Sequence, residues 1–166
     1  MSTTIQPTPT FFYDASAITK LFVDEPGADV ARKIFNDAAQ VYTSWVVIAE
    51  VLGALKRKWL RKEIDDDQYG KSVHLLLSYV AELRLKAVDV RNRNGQPALD
   101  TFELDILKIR KAHPELDAAD ALQFAAIQNT YLRTFASESK TQLVSADRNL
   151  LKAAAAEGIP AIDVSS

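Results

Sequence analysis

Four carboxylates stand where an acid can do more than keep a surface soluble. Asp14 follows the apolar run Phe11-Phe12-Tyr13 in FFYDAS, and Asp147 follows Leu143-Val144-Ser145 in QLVSADRNLL. Glu50 is the only charge between Thr43 and Leu55 in TSWVVIAEVLGAL, and Asp120 heads an apolar stripe in LDAADALQFAAI. Each has a plain structural account. Asp14 and Asp147 each separate an apolar run from a helical pattern and suit a helix N-cap. Asp117 suits the N-cap of the helix that holds Asp120, and Asp120 then sits where an acid complements the positive helix end. Glu50 is harder to explain that way. At about 100° per residue, Trp45, Ile48, Leu52, Leu55 and Trp59 form one stripe with Glu50 nearly opposite. Val46, Val47, Val51, Gly53 and Ala54 surround it on the far side. A helix apolar nearly all round is normally buried, and a buried carboxylate needs a partner or a metal.

If the four acids converge, their repulsion must be compensated. Carboxylate oxygens suit hard divalent cations such as Mg²⁺ or Mn²⁺. Such a site can engage a phosphodiester oxygen, activate a water for attack and stabilise the leaving alkoxide. What the chain lacks agrees with that chemistry. It has no Cys, which excludes disulfides, thiolate metal sites and cysteine nucleophiles, and only two His, His74 and His113. His74 reads as a surface residue of an amphipathic helix and His113 as part of a helix terminus before Pro114; neither is the expected general base.

The elements that must position these acids follow from periodicity. The 166 residues are 48% apolar and 25% charged, which suits one soluble domain over 11–166 with a flexible N-terminus over 1–10. The polar MSTTIQPTPT start lacks the layout of a signal peptide, so a cytoplasmic protein with no membrane association is expected. Strands are predicted at Phe11–Asp14, Val41–Ser44, Lys86–Val90, Gln142–Ser145 and Ala161–Val164. Helices are predicted over about 16–23, 28–39, 45–61, 66–84, 98–112, 118–136 and 148–157. Pro26-Gly27, Asp65-Asp66, His113-Pro114 and Gly158 mark boundaries between them. This alternation gives a three-layer α/β fold, a short, mainly parallel sheet of about five strands flanked by about seven helices. In such sheets ligands sit outside the carboxyl ends of the strands, where Asp14 and Asp147 fall. They are neighbours only if their strands pair.

In FFYDASAITKLFVDEPG, TSWVVIAEVLGAL, LDAADALQFAAI and LVSADRNLLKAAAAEGIPAIDV, the chain resembles the PIN-domain family, especially the VapC-type toxins of bacterial toxin–antitoxin pairs. The resemblance runs from Phe11 to Val164. It implies that Asp14, Glu50, Asp120 and Asp147 are the catalytic, metal-binding quartet, with Mg²⁺ or Mn²⁺ as cofactor. Ser16 and Ser145 match small hydroxyl positions beside the first and last acids, with Thr43, Asn149 and Asp117 as lesser supports. The implied activity is endoribonuclease cleavage by metal-activated water, leaving a 5′-phosphate and a 3′-hydroxyl. The implied partners are RNA, a second copy in a homodimer, and an antitoxin that enters the active-site groove. Two departures bear on the choice of RNA and partner: the long, charged stretch from Arg91 to Leu116, and a helix that runs on from Asp117 through TYLRTFASESK.

With 20 Lys+Arg against 22 Asp+Glu, no net basic field advertises a nucleic acid, so any RNA contact must be local. KRKWLRK, Lys56 to Lys62, is the densest basic group, although cations also suit a helix C-terminus. Arg57, seven residues and about two turns beyond Glu50, is the best phosphate candidate, followed by Arg148 and Arg61, with Arg91 and Arg93 in RNRNG as weaker groove contacts. The competing reading is a non-catalytic PIN-fold module that binds RNA or protein, its acids serving only as caps and solvated groups.

Overall fold

The computed structural model describes residues 10–88, 99–128 and 141–166. The strands are β1 (Phe11–Tyr13), β2 (Val41–Ser44), β3 (Leu85–Val88), β4 (Gln142–Ser145) and β5 (Ala161–Asp163). The helices are α1 (Ala15–Phe22), α2 (Ala28–Asp37), α3 (Trp45–Leu60), α4 (Asp66–Ala81), α5 (Leu99–Ala112), α6 (Ala118–Gln128) and α7 (Arg148–Ala156). The expected extensions of the third strand to Val90 and of the sixth helix to 136 lie outside the described residues. So do Arg91, Arg93 and, apart from Thr10, the expected flexible N-terminus. No helix among the described residues is long and apolar enough to cross a membrane.

All five strands are parallel, in the order β3-β2-β1-β4-β5. Strand alternation divides the core into two layers. Tyr13, Val41 and Val144 face a cluster completed by α1 to α4, including Ala17, Ile18, Phe35, Val51, Leu55 and Leu76. Phe12, Tyr42 and Leu143 face the other way, onto Ile109, Leu116, Phe124 and Leu150 of the second cluster. The three-layer α/β expectation therefore holds.

Local chemistry explains the joints. Asp65 caps α4 by accepting from the Gln68 N–H at 2.7 Å. Gly27 precedes α2 at φ +79, and a Cβ there would lie 1.9 Å from the Val164 carbonyl oxygen. Only glycine fits both that left-handed backbone and the packed C-terminal strand end. His113 is buried just beyond α5, its Nε2 2.9 Å from Glu157 Oε1 beyond α7, whereas His74 is exposed.

One stripe differs from its helical-wheel reading. The buried side of α3 is Val47, Ile48, Val51 and Leu55, while Trp45 is 53% exposed. Trp45 has the right azimuth but stands at the first position of the helix, beyond the end of the layer its stripe packs against. Leu52 and Trp59 are only partly buried at the edge of that layer.

Candidate active site at the carboxyl end of the sheet

The strand order makes β1 the turning point of the sheet: the chain goes from β1 to β2 and β3 on one side and later to β4 and β5 on the other. A crevice opens where neighbouring strands continue in opposite directions, here outside the carboxyl ends of β1 and β4. The register pairs Tyr13 with Val144, so Asp14 and the turn Ser145-Ala146-Asp147 leave the sheet side by side. The Asp14 N–H donates to the Val144 carbonyl at 3.3 Å.

Asp14 is both a cap and the centre of a hydrogen-bonded cradle. Its Oδ1 accepts from the Ala17 N–H at 2.8 Å, which starts α1. Ser16 Oγ donates to both carboxylate oxygens at 2.8 and 2.9 Å, and Ser145 Oγ donates to Oδ2 at 2.6 Å. Each hydroxyl is itself held by the β4–α7 turn: Ser16 Oγ accepts from the Ala146 N–H across the sheet end at 2.8 Å, and Ser145 Oγ accepts from the Asp147 N–H of its own turn at 2.9 Å. Two serines thus lash the β4–α7 turn to the acid at the end of β1. Asp147 caps α7 through Oδ1, which accepts from the Asn149 and Leu150 N–H groups at 2.8 and 3.0 Å. Asn149 contributes its backbone there, and its side chain is exposed.

Glu50 and Asp120 approach from α3 and α6. Asp117 Oδ1 accepts the Asp120 N–H at 2.9 Å, so it plays the expected N-cap role. Burial pushes the Asp14 carboxyl up to about 6 despite its three donors, and the Asp147 charge pushes the same way. Glu50 is raised to about 7, first by burial and then by the charges of Asp120, Asp117 and Asp14. Burial, then Asp117, Asp147 and Asp14, lifts Asp120 to about 6. The four acids from four segments therefore sense one another, and Asp117 adds its charge to theirs.

The donor set fits a divalent cation. All four side chains offer hard oxygens. Among the described residues, Glu50 Oε1, Asp147 Oδ2 and both oxygens of Asp120 accept no hydrogen bond, and Asp14 retains lone-pair capacity beyond its three donors. Raised carboxyl pKa values mark a site whose ionised form lacks a positive partner. As they stand, no three His, Asp or Glu side chains among the described residues are close enough to hold an ion.

The remaining sequence candidates separate clearly. Ser16 and Ser145 belong to the cradle. Thr43 is fully buried and its Oγ1 donates to the Tyr13 carbonyl at 3.0 Å, bracing β2 against β1 rather than reaching an acid. Arg57 is exposed and its charge acts on Glu50, opposing the rise in the Glu50 pKa. Arg148 is exposed and its charge acts on Asp163, and Arg61 stands 3.9 Å from Glu63.

Gln123 is the residue that the motifs did not single out. It is 2% exposed, and its Nε2 donates to Glu50 Oε2 at 2.9 Å. Its signal in the sequence was faint: a lone amide in the otherwise apolar ALQFAAI, one turn after Asp120.

The PIN-domain family model matches residues 11–162. Among solved structures, the chain is similar to PAE2754 from Pyrobaculum aerophilum, with a TM-score of 0.57 and 20% identity, covering 95% of this chain and 90% of that one. At that identity the likeness concerns the fold. No curated protein matches the chain.

Proposed function

The chain belongs to the PIN-domain family, generally a metal-dependent nuclease fold, and on that premise we propose that it is a Mg²⁺- or Mn²⁺-dependent endoribonuclease, the toxin of a toxin–antitoxin pair. The observation that carries this reading is that Asp14, Glu50 and Asp120, at the turning point of the sheet, are each raised first by burial and then by neighbouring carboxylates, with Asp147 contributing to two of them.

Asp14, Glu50, Asp120 and Asp147 would hold the cation. When bound, the ion supplies Lewis-acid polarisation of a phosphodiester oxygen, activation of the attacking water and stabilisation of the leaving alkoxide. The chain's own groups do the rest. Ser16, Ser145 and the Ala17 N–H fix Asp14 in one orientation, so little reorganisation is left for the moment of reaction. Arg57, exposed and within electrostatic reach of Glu50, can receive a backbone phosphate beside the acids. Hydrolysis on this pattern leaves a 5′-phosphate and a 3′-hydroxyl.

The test is cleavage of RNA with Mn²⁺ by wild type, Asp14→Asn and Asp120→Asn. A loss of at least about 100-fold in each variant is expected, in line with the removal of electrostatic groups from active sites. Unchanged cleavage would remove the acids from the reaction. The toxin assignment, with a homodimer and an antitoxin as partners, rests on the resemblance of FFYDASAITKLFVDEPG and its companion segments to VapC-type proteins. Growth arrest on expression in bacteria, absent for Asp14→Asn, is its expected sign.

A non-catalytic module is the second reading, favoured by the fact that Asp14, Asp117 and Asp147 each accept a helix-start N–H. It predicts no stabilisation by Mn²⁺, whereas a cation bound only by the folded state raises the melting temperature by mass action.

A further inference from the structure

Gln123 is an expensive residue for its place. It lies in α6 among Ala121, Phe124, Ala125, Ala126 and Ile127, all buried. Its Oε1 is buried and has no hydrogen-bond partner among the described residues. A buried acceptor left unpaired is a net cost to folding, and an apolar side chain of similar volume would pack there without it. What the amide supplies is a donor: Nε2 to Glu50 Oε2, 2.9 Å, across the α3–α6 interface. That bond also fixes the amide, because the opposite orientation would set Oε1 against a carboxylate.

We propose that Gln123 is a positioning residue that holds Glu50 Oε2 and so presents Oε1 to the other acids and to the cation. The inference rests on reading those acids as a cation site. A neutral amide suits the task. It restrains a carboxylate surrounded by Asp14, Asp117 and Asp120 without neutralising it, whereas Lys or Arg in its place would compete with the ion for the same charge. Glu50 needs such a restraint more than Asp14 does. Asp14 is clamped by two serines and a backbone N–H, and Gln123 is the hydrogen-bond donor that Glu50 has among the described residues.

The experiment measures Mn²⁺ affinity by calorimetry on the full chain without RNA, alongside melting in EDTA and steady-state cleavage. Gln123→Leu and Gln123→Met are compared with wild type, with Asp14→Asn, and with Gln123→Leu in a Glu50→Gln background. The inference expects both Gln123 variants to melt at or above the wild-type temperature in EDTA and to bind Mn²⁺ about 10-fold more weakly, the usual effect of losing a group that orients a ligand. It also expects kcat at fixed Mn²⁺ to fall while KM for RNA stays unchanged. In the Glu50→Gln background, Gln123→Leu should change Mn²⁺ affinity less than about two-fold, because its effect passes through Glu50. Wild-type Mn²⁺ affinity in Gln123→Leu and Gln123→Met, or an equal loss in the Glu50→Gln background, overturns the inference and leaves the cation site standing. Failure of wild type itself to bind Mn²⁺ overturns both.

Discussion

Lowering the pH should stabilise this protein when metal is withheld, the reverse of ordinary acid sensitivity. Asp14 dominates the effect because it is 3% exposed, and burial lifts its carboxyl from 3.8 to about 6. A folded state that holds a proton more tightly than the unfolded chain gains stability when the proton is bound. That stability is fully present below the unfolded value near 4 and is lost as pH rises through the folded value near 6. A rise of about two units corresponds to about 3 kcal/mol at ~1.4 kcal/mol per unit. Glu50, raised to about 7, and Asp120, raised to about 6, push in the same direction over nearly the same window. Both are partly exposed, so solvent screening reduces their share. About half of the Asp14 effect, ~1.4 kcal/mol, falls between pH 5 and pH 8, so at ~2–4 °C per kcal/mol for a domain of this size the melting temperature in EDTA should be at least about 3–6 °C higher at pH 5 than at pH 8. Circular-dichroism melts across that range test it, with Asp14→Asn as the control whose profile should flatten. Saturating Mn²⁺ at pH 8 should restore the lost stability. A melting temperature that falls from pH 8 to pH 5, or an Asp14→Asn profile as steep as wild type, would refute the electrostatic reasoning.

Other perturbations have equally definite outcomes. Gly27→Ala adds a Cβ 1.9 Å from the Val164 carbonyl at a φ of +79, so it should cost at least about 2 kcal/mol in urea unfolding. Leu83, 63% exposed at φ +59 just after α4, is the reverse case, and Leu83→Gly should stabilise by about 0.5–1 kcal/mol in the same assay. Arg57→Ala should weaken single-stranded RNA binding and reduce the slope of log affinity against log salt by about 0.7, the value of one phosphate contact; an unchanged slope would take Arg57 out of the RNA path.

The fold was legible because local signals agreed with one another. Apolar strands of three or four residues alternated with capped helices, and Asp65, Gly27 and Gly158 stood at the joints. Pairing was not legible. That Asp14 and Asp147 are neighbours depends on β1 lying between β2 and β4, a long-range choice that no window of sequence contains. A cap role leaves the proposed site role open, since Asp14 and Asp147 accept helix-start N–H groups while their charges act on neighbouring acids. The helical wheel misread Trp45 because azimuth says nothing about where a packed layer ends. Thr43 looked like part of the site, yet the strand register turns its hydroxyl to a neighbouring carbonyl. Gln123 left only the faint trace of a lone amide in an apolar run, because its bond to Glu50 from another helix is created by tertiary packing.

Four carboxylates from distant segments are proposed to form one cation site at the carboxyl ends of β1 and β4. Anomalous diffraction from a crystal grown with Mn²⁺ tests it most directly. One or two manganese peaks within ligand distance of Asp14, Glu50, Asp120 and Asp147 are expected. Manganese bound elsewhere, with those four side chains still apart, would contradict it.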